Sequence, residues 1–293
     1  MFYAVSMCPK AALASLKLGI AAAAISGALV APVVAAGLDL GAANGYAIVE
    51  LGSGKTVKIN SGPNIGNVLV GNGAVTSSSG GGNGQITGTV YYDSTATGDF
   101  FSGLQIPVTA AQKQLVSTTL TAQAKADAEA VSAYASSLAA TQSFSSSIVG
   151  NGGINVINVA SINNAAFTLS GTANDFFVFN VGSIQTNKVM TLSGGVTASH
   201  ILFNITGSSG NVFQTSGGDL LYGTFLATKG GDFQFSNLAL TGQLINTAGS
   251  MQIVSGSAVT GVTLVPEPTS SLLMMFGIAG LMGALKRKTL LDR

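Results

Sequence analysis

The sequence predicts an all-β dominated body, a parallel β-solenoid with one long α-helix packed alongside, and a hydrophobic helix at each end. Three observations carry this expectation. Runs of four to six apolar or β-branched residues, each closed by Gly, Ser or Asn, recur about every 18 to 25 residues through the second half of the chain. One alanine-rich segment without glycine, from Pro107 to Ser143, breaks that pattern. The two most apolar stretches lie at the ends, which explains how a Gly- and Ser-rich chain reaches a mean hydropathy of +0.50.

The first element, residues 1–36, reads as a secretory signal peptide. Lys10 and Lys17 precede an apolar run from Leu18 to Val34, and the small residues Val34-Ala35-Ala36 offer a peptidase site, so cleavage is expected after Ala36. The only cysteine, Cys8, falls in this segment. A body from 37 to 263 therefore has no disulfide, no thiolate nucleophile and no cysteine zinc site, and must cohere by packing and backbone hydrogen bonds. Its few charges are mixed in sign and form no basic stripe, which excludes nucleic acid as a partner. No metal or cofactor is expected.

Within the body, YAIVELG from Tyr46, TVKIN from Thr56, NVLVGNG from Asn67 and ITGTVYY from Ile86 alternate with the two-residue period of half-buried strands. The stretch GSGKT, Gly52 to Thr56, ends like a phosphate-binding loop. It lacks the first glycine of that motif, having Val49 there, and a strand pattern follows where a helix is required. The alanine-rich segment predicts a helix over about 108–142, because Leu120, Ala124, Ala128, Val131, Ala135 and Leu138 fall on one face. A stripe of small residues lets that helix lie close against a flat surface.

Beyond the helix come FFVFNVGS from Phe176, ILFNITGS from Ile201, LYGTFLAT from Leu221 and TGQLINT from Thr241. A second series, MTLSGG from Met190, VFQTSGG from Val212, FQFSN from Phe233 and MQIVSG from Met251, runs between them. A unit this short buries an apolar face only by stacking on its neighbour, so the period is one rung of a coil with two or three strands per rung. Aligning the first series sets Thr206, Thr228 and Thr247 at equivalent strand ends. Facing one way, they would form a hydroxyl column with a spacing of about 4.8 Å, a candidate surface-binding feature.

Catalytic chemistry has thin support. His200, the sole histidine, has no base–nucleophile spacing around it. Asp175, Asp219 and Asp232 lie near turns and could act as acid and base on a glycan only if the coil brings two of them across a groove. Turn aspartates commonly bond their own backbone instead.

The last element, 264–293, combines Pro266-Glu267-Pro268, an apolar run from Leu272 to Leu285 and the basic cluster Lys286, Arg287 and Lys288. The short membrane helix expected over 270–285 is at the lower limit of spanning length, and the basic cluster favours the cytoplasmic side.

These residues resemble the PEP-CTERM sorting signal of Gram-negative bacteria. The resemblance implies recognition of Pro266, Glu267 and Pro268 by a membrane-embedded exosortase after the secretion machinery has exported the chain. It further implies transient residence in the inner membrane, cleavage near that element and delivery to the outer surface. The progression from NVLVGNG through LTGQLINT resembles the solenoid ectodomains of ice-binding-like and choice-of-anchor bacterial surface proteins, in which a long helix packs beside the coil. Together they imply a non-enzymatic structural or adhesive protein of the cell surface or extracellular matrix, associated with exopolysaccharide. Ice binding and a polysaccharide-active β-helix enzyme are the two alternatives; against the first, Asn, Ala, Ile and Phe interrupt what would be a broad threonine face.

Overall fold

The computed structural model describes residues 38–264 apart from 61, 63–64, 80–83, 255 and 263. Both the expected signal peptide and the expected membrane helix lie outside the described residues. Among the described residues no helix is long and apolar enough to cross a membrane.

The chain enters through a 3₁₀ turn at Gly41–Ala43 and starts to coil at β1 (Ile48–Glu50) and β2 (Thr56–Ile59). It winds on through β3 (Val68–Val70), β4 (Val75–Ser78), β5 (Val90–Tyr92), β6 (Thr97–Gly98) and β7 (Lys113–Leu115). Helix α1 (Thr118–Ser137) follows. Coiling resumes with β8 (Ser147–Val149), β9 (Ile154–Asn163), β10 (Phe167–Gly171), β11 (Phe176–Thr186) and β12 (Met190–Gly194). It ends with β13 (Ile201–Ile205), β14 (Asn211–Thr215), β15 (Asp219–Ala227), β16 (Asp232–Ser236), β17 (Leu238–Asn246), β18 (Met251–Val254) and β19 (Ala258–Thr260).

All strand pairing is parallel, and the coil has three faces. Stacked on the helix face are β9, β11, β13, β15, β17, β1, β3, β5 and β7, in that order. A second face stacks β11, β14, β16, β18, β2, β4 and β6. The third stacks β8, β10 and β12, then the leading halves of β15 and β17, then β19. The last C-terminal rung lies under the first N-terminal one: Leu244 pairs with Ile48 and Met251 with Val57. The coil is therefore continuous in space but not in sequence. Its upper part climbs from the middle to one end, α1 carries the chain back along the flank, and the lower part climbs to meet the upper.

The helix is shorter than the expected 108–142, for a physical reason. Gln112 donates its amide to the carbonyls of Ile86 and Gly88, and Lys113–Leu115 pair with β5, so rung stacking claims residues that would otherwise be helical. The Ser117 hydroxyl accepts from the Leu120 N–H and caps the helix start. Buried against the coil are Ala124, Ala128, Val131 and Ala135, which pack on Val49, Leu69, Val178, Leu202, Leu226 and Ile245. The helix-face strands are thus apolar on both sides, which is why FFVF, ILF and VLV read as unbroken hydrophobic runs.

Inside the coil, Phe179, Phe203 and Phe225 stack in register with ring centroids 4.6 and 4.5 Å apart. The ladder passes into Leu244, Ile48, Val68 and Val90, one apolar residue per rung. At the corner between the third face and the helix face, Gly223 and Gly242 pair at φ +114° and +157°. A Cβ on Gly242 would lie 1.8 Å from the Gly223 carbonyl oxygen. Gly242→Ala is expected to cost roughly 2–4 kcal/mol by combining backbone strain with overpacking, read as a lower urea midpoint for the full-length protein.

Candidate functional site

The middle of the helix face is covered by α1. Beneath α1, Asn204 accepts from the Ser132 hydroxyl at 2.7 Å and donates to Asn180 Oδ1 at 2.7 Å, while Asn180 donates to the Ala135 carbonyl. Toward the other end of α1, buried Asp93 accepts from the Thr121 hydroxyl and from the N–H groups of Asn72 and Thr95. Burial works to raise the Asp93 pKa, but these bonds outweigh it and hold the carboxyl below its usual range.

Thr206, Thr228 and Thr247 follow the register-matched Ile205, Ala227 and Asn246, so the coil brings them to one corner at the edge of the helix face. The Thr206 hydroxyl donates to the Val181 carbonyl and that of Thr228 to Ser132 on α1. Thr247 is fully buried.

The three candidate aspartates are not brought together. Asp175 precedes β11, Asp219 begins β15 at another corner, and Asp232 begins β16 on the second face. Asp175 clasps turns: it accepts from the Gly152 and Thr172 N–H groups and the Thr172 hydroxyl. Burial opposes ionisation there, but these bonds prevail and lower its pKa to about 2. In Asp219 burial prevails over the bond from the Gly217 N–H, and the pKa is raised. Asp232 accepts the Ser250 N–H at 2.7 Å. His200 rests edge-on to Phe176 with its Nδ1 3.4 Å from the Thr197 hydroxyl. Among the described residues no group of three or more His, Cys, Asp or Glu could hold a metal ion. Ser53 and Gly54, in the GSGKT stretch, form a turn that leads into β2.

Among the described residues no element covers the outer surface of the other two faces. On the third face the hydroxyls of Ser147, Thr168 and Thr191 are in register, and Ser170 bonds Ser193 at 2.6 Å. On the second face the outward residues of successive rungs are Asn163, Gln185, Gln214, Gln234, Gln252, Lys58 and Ser77, each paired in register with the next. The inward neighbours of this column, Ile184, Phe213, Phe233, Met251 and Val57, are buried. Beside it a shallow groove of about 200 Å³ is lined by Thr56, Asn211, Asp232 and Ser250 as well as by column residues.

The amide column escaped sequence reasoning, although its signal was present. Each glutamine directly follows a buried apolar residue, as in Ile184-Gln185, Phe213-Gln214, Phe233-Gln234 and Met251-Gln252. The rungs holding them are unequal in length, which hides the alignment from a fixed period.

Solved structures share this architecture. The fold is similar to that of an ice-binding protein from an Antarctic biological consortium, 20% identical over 76% of this chain and 90% of that one, with a TM-score of 0.52. It is also similar to a glycosylated ice-binding protein from an Arctic yeast, 17% identical over 79% and 96%, TM-score 0.51. A third match is the DUF3494 domain of Shewanella frigidimarina ice-binding protein 1, 14% identical over 77% and 98%, TM-score 0.50. These likenesses define the fold as the β-solenoid of ice-binding proteins. Residues 264–288 match the PEP-CTERM protein-sorting motif. The chain thus joins that solenoid to a sorting signal, which makes it an exported, surface-sorted protein with an exosortase as its sorting partner. No protein of curated function matches it by sequence.

A further acid is buried in the coil. Glu50 is fully buried, and only its Oε1 is bonded, to the Gly52 N–H. Burial raises its pKa well above the ordinary value of about 4.5, and neighbouring Asp232 adds to the shift. The folded state therefore holds a proton that the unfolded chain releases once pH exceeds about 4.5, and stability falls as pH rises from there toward the folded-state pKa. Glu50→Gln is expected to raise stability at neutral pH by about 1–3 kcal/mol and to flatten its pH dependence, with no gain below pH 4; thermal melts across pH check both.

Proposed function

We propose that the protein is a structural or adhesive component of the surface or extracellular matrix of a Gram-negative-type cell, where its solenoid binds exopolysaccharide. In its precursor the tail crosses the inner membrane at 270–285, and the exosortase reads Pro266, Glu267 and Pro268, with Lys286, Arg287 and Lys288 as the stop cluster. The observation that supports this reading most is the presence, in one chain, of a sorting motif at 264–288 and a coil with two faces that no described element covers, one of them bearing a column of amides. Contacts that repeat with the rungs are individually weak but sum by avidity along a polymer.

Ice binding is the second reading, favoured by the shared fold and by the hydroxyls of Ser147, Thr168 and Thr191 on the third face; the corner column of Thr206, Thr228 and Thr247 is its other candidate. The enzyme reading weakens because Asp175, Asp219 and Asp232 stand on separate parts of the coil.

Retention of the full-length protein, in mild detergent, on the producing organism's exopolysaccharide is the test. The expected outcome is retention with unchanged polymer size and no inhibition of ice recrystallisation. A shortened polymer, or ice inhibition without retention, overturns the proposal.

A further inference from the structure

We infer that the face bearing Gln185, Gln214, Gln234 and Gln252 is the ligand face of this surface role, and that it takes a single extended chain of a neutral, hydroxyl-rich polysaccharide running along the coil axis. This rests on the reading above and names its site and ligand class.

The argument begins with register. From Asn163 to Ser77, seven consecutive rungs each present one outward polar side chain at the same strand position. Every carboxamide offers a carbonyl acceptor and two N–H donors. A sugar hydroxyl likewise donates and accepts, so one amide per rung matches a polymer that repeats hydroxyls along its length. Gln234 is held in place by the Asn211 amide, which donates to its Oε1 at 2.8 Å. The adjoining groove, lined by Gln234, Thr56 and Ser250, gives a sugar ring a seat.

Charge selects among polymers. Lys58 is the only ionic group in the column, and the acid beside it, Asp232, is engaged by the Ser250 N–H. A polyanion would need a row of cations to replace its counterions, and no such row is present on this face among the described residues. A neutral chain needs none.

Size selects against a protein partner. Six strand spacings give the column a length of roughly 29 Å, and strands of four to five residues make the face about 15 Å wide. The resulting area, on the order of 400 Å², is about half of the ~800 Å² per partner that a stable protein interface buries. A long narrow strip suits one linear chain.

The experiment separates the organism's exopolysaccharide into neutral and acidic fractions by anion exchange and measures mobility of the full-length protein in native gels containing each. One variant carries Gln185→Ala and Gln252→Ala; a second carries Gln214→Val and Gln234→Val, which keeps strand-forming residues in place. A third, Thr168→Ala with Thr191→Ala, alters the other open face. Thermal melts confirm folding of all three. The expected result is retardation by the neutral fraction, weakened at least tenfold in apparent affinity in each glutamine variant and unchanged in the threonine variant. Equal retardation of wild type and both glutamine variants overturns the face assignment while the matrix-binding reading stands. Retardation by the acidic fraction alone overturns the ligand class. Loss of a dimer in sedimentation of the glutamine variants, without loss of retardation, gives the face to a second copy and overturns the proposal. No retardation of the wild type by either fraction overturns the underlying reading itself.

Discussion

The whole molecule depends on one junction, the parallel pairing of β17 and β18 with β1 and β2. Residues nearly two hundred positions apart meet there, as Leu244 on Ile48 and Met251 on Val57, and the entropy of that long closure must be met by stacking on both sides. Because the coil is assembled from two chain segments, something has to carry the chain from its top to its bottom. Nine strands on the helix face put those ends eight spacings, about 38 Å, apart. A 20-residue helix rises about 30 Å, and the extended residues at either side supply the rest. Val116 bonds the Tyr92 carbonyl at one end and Thr141 that of Val156 at the other. The length of α1 is thus set by the rung count, and its small-residue stripe by the flatness of the face it crosses.

Much of this was legible in the sequence. The glycine-closed apolar runs announced stacking, and Ala124, Ala128, Val131 and Ala135 announced the buried stripe. Two features were not. The order of the rungs was hidden because it depends on which strand accepts β1, and nothing local to β1 or β17 records that partner. The amide column was hidden because the second sequence series mixed two faces: Met190 opens β12 on the third face, whereas Val212, Phe233 and Met251 belong to the second. Candidate site residues chosen by strand-end alignment, Thr206, Thr228 and Thr247, did converge in space, but on the corner where the Thr228 hydroxyl holds α1. A terminal position in an aligned repeat tells where a residue stacks, not which side of the wall it faces.

The three faces divide the labour by polarity. Where the strands are apolar on both sides, the chain covers them with α1, and a few buried polar groups such as Asp93 and Asn204 fix its register. Where the outward residues are amides or hydroxyls, no element among the described residues covers them. An uncovered polar face costs the fold nothing, since water satisfies it, yet it repeats at strand spacing over the length of the coil.

The point at which the described chain leaves the coil fits this division. Asn44 grips Leu264 by both backbone groups, donating to its carbonyl at 2.9 Å and accepting its N–H at 3.0 Å, and Leu264 itself is buried. The entry and exit of the coil are therefore fastened to each other near the junction of the two halves, away from the rungs at either extremity. A cut on the C-terminal side of Leu264 would remove no described strand and no described core side chain. Gln185, Gln214, Gln234 and Gln252 stand in one unbroken register, which is the condition a long polymer needs in order to gain from every rung it touches.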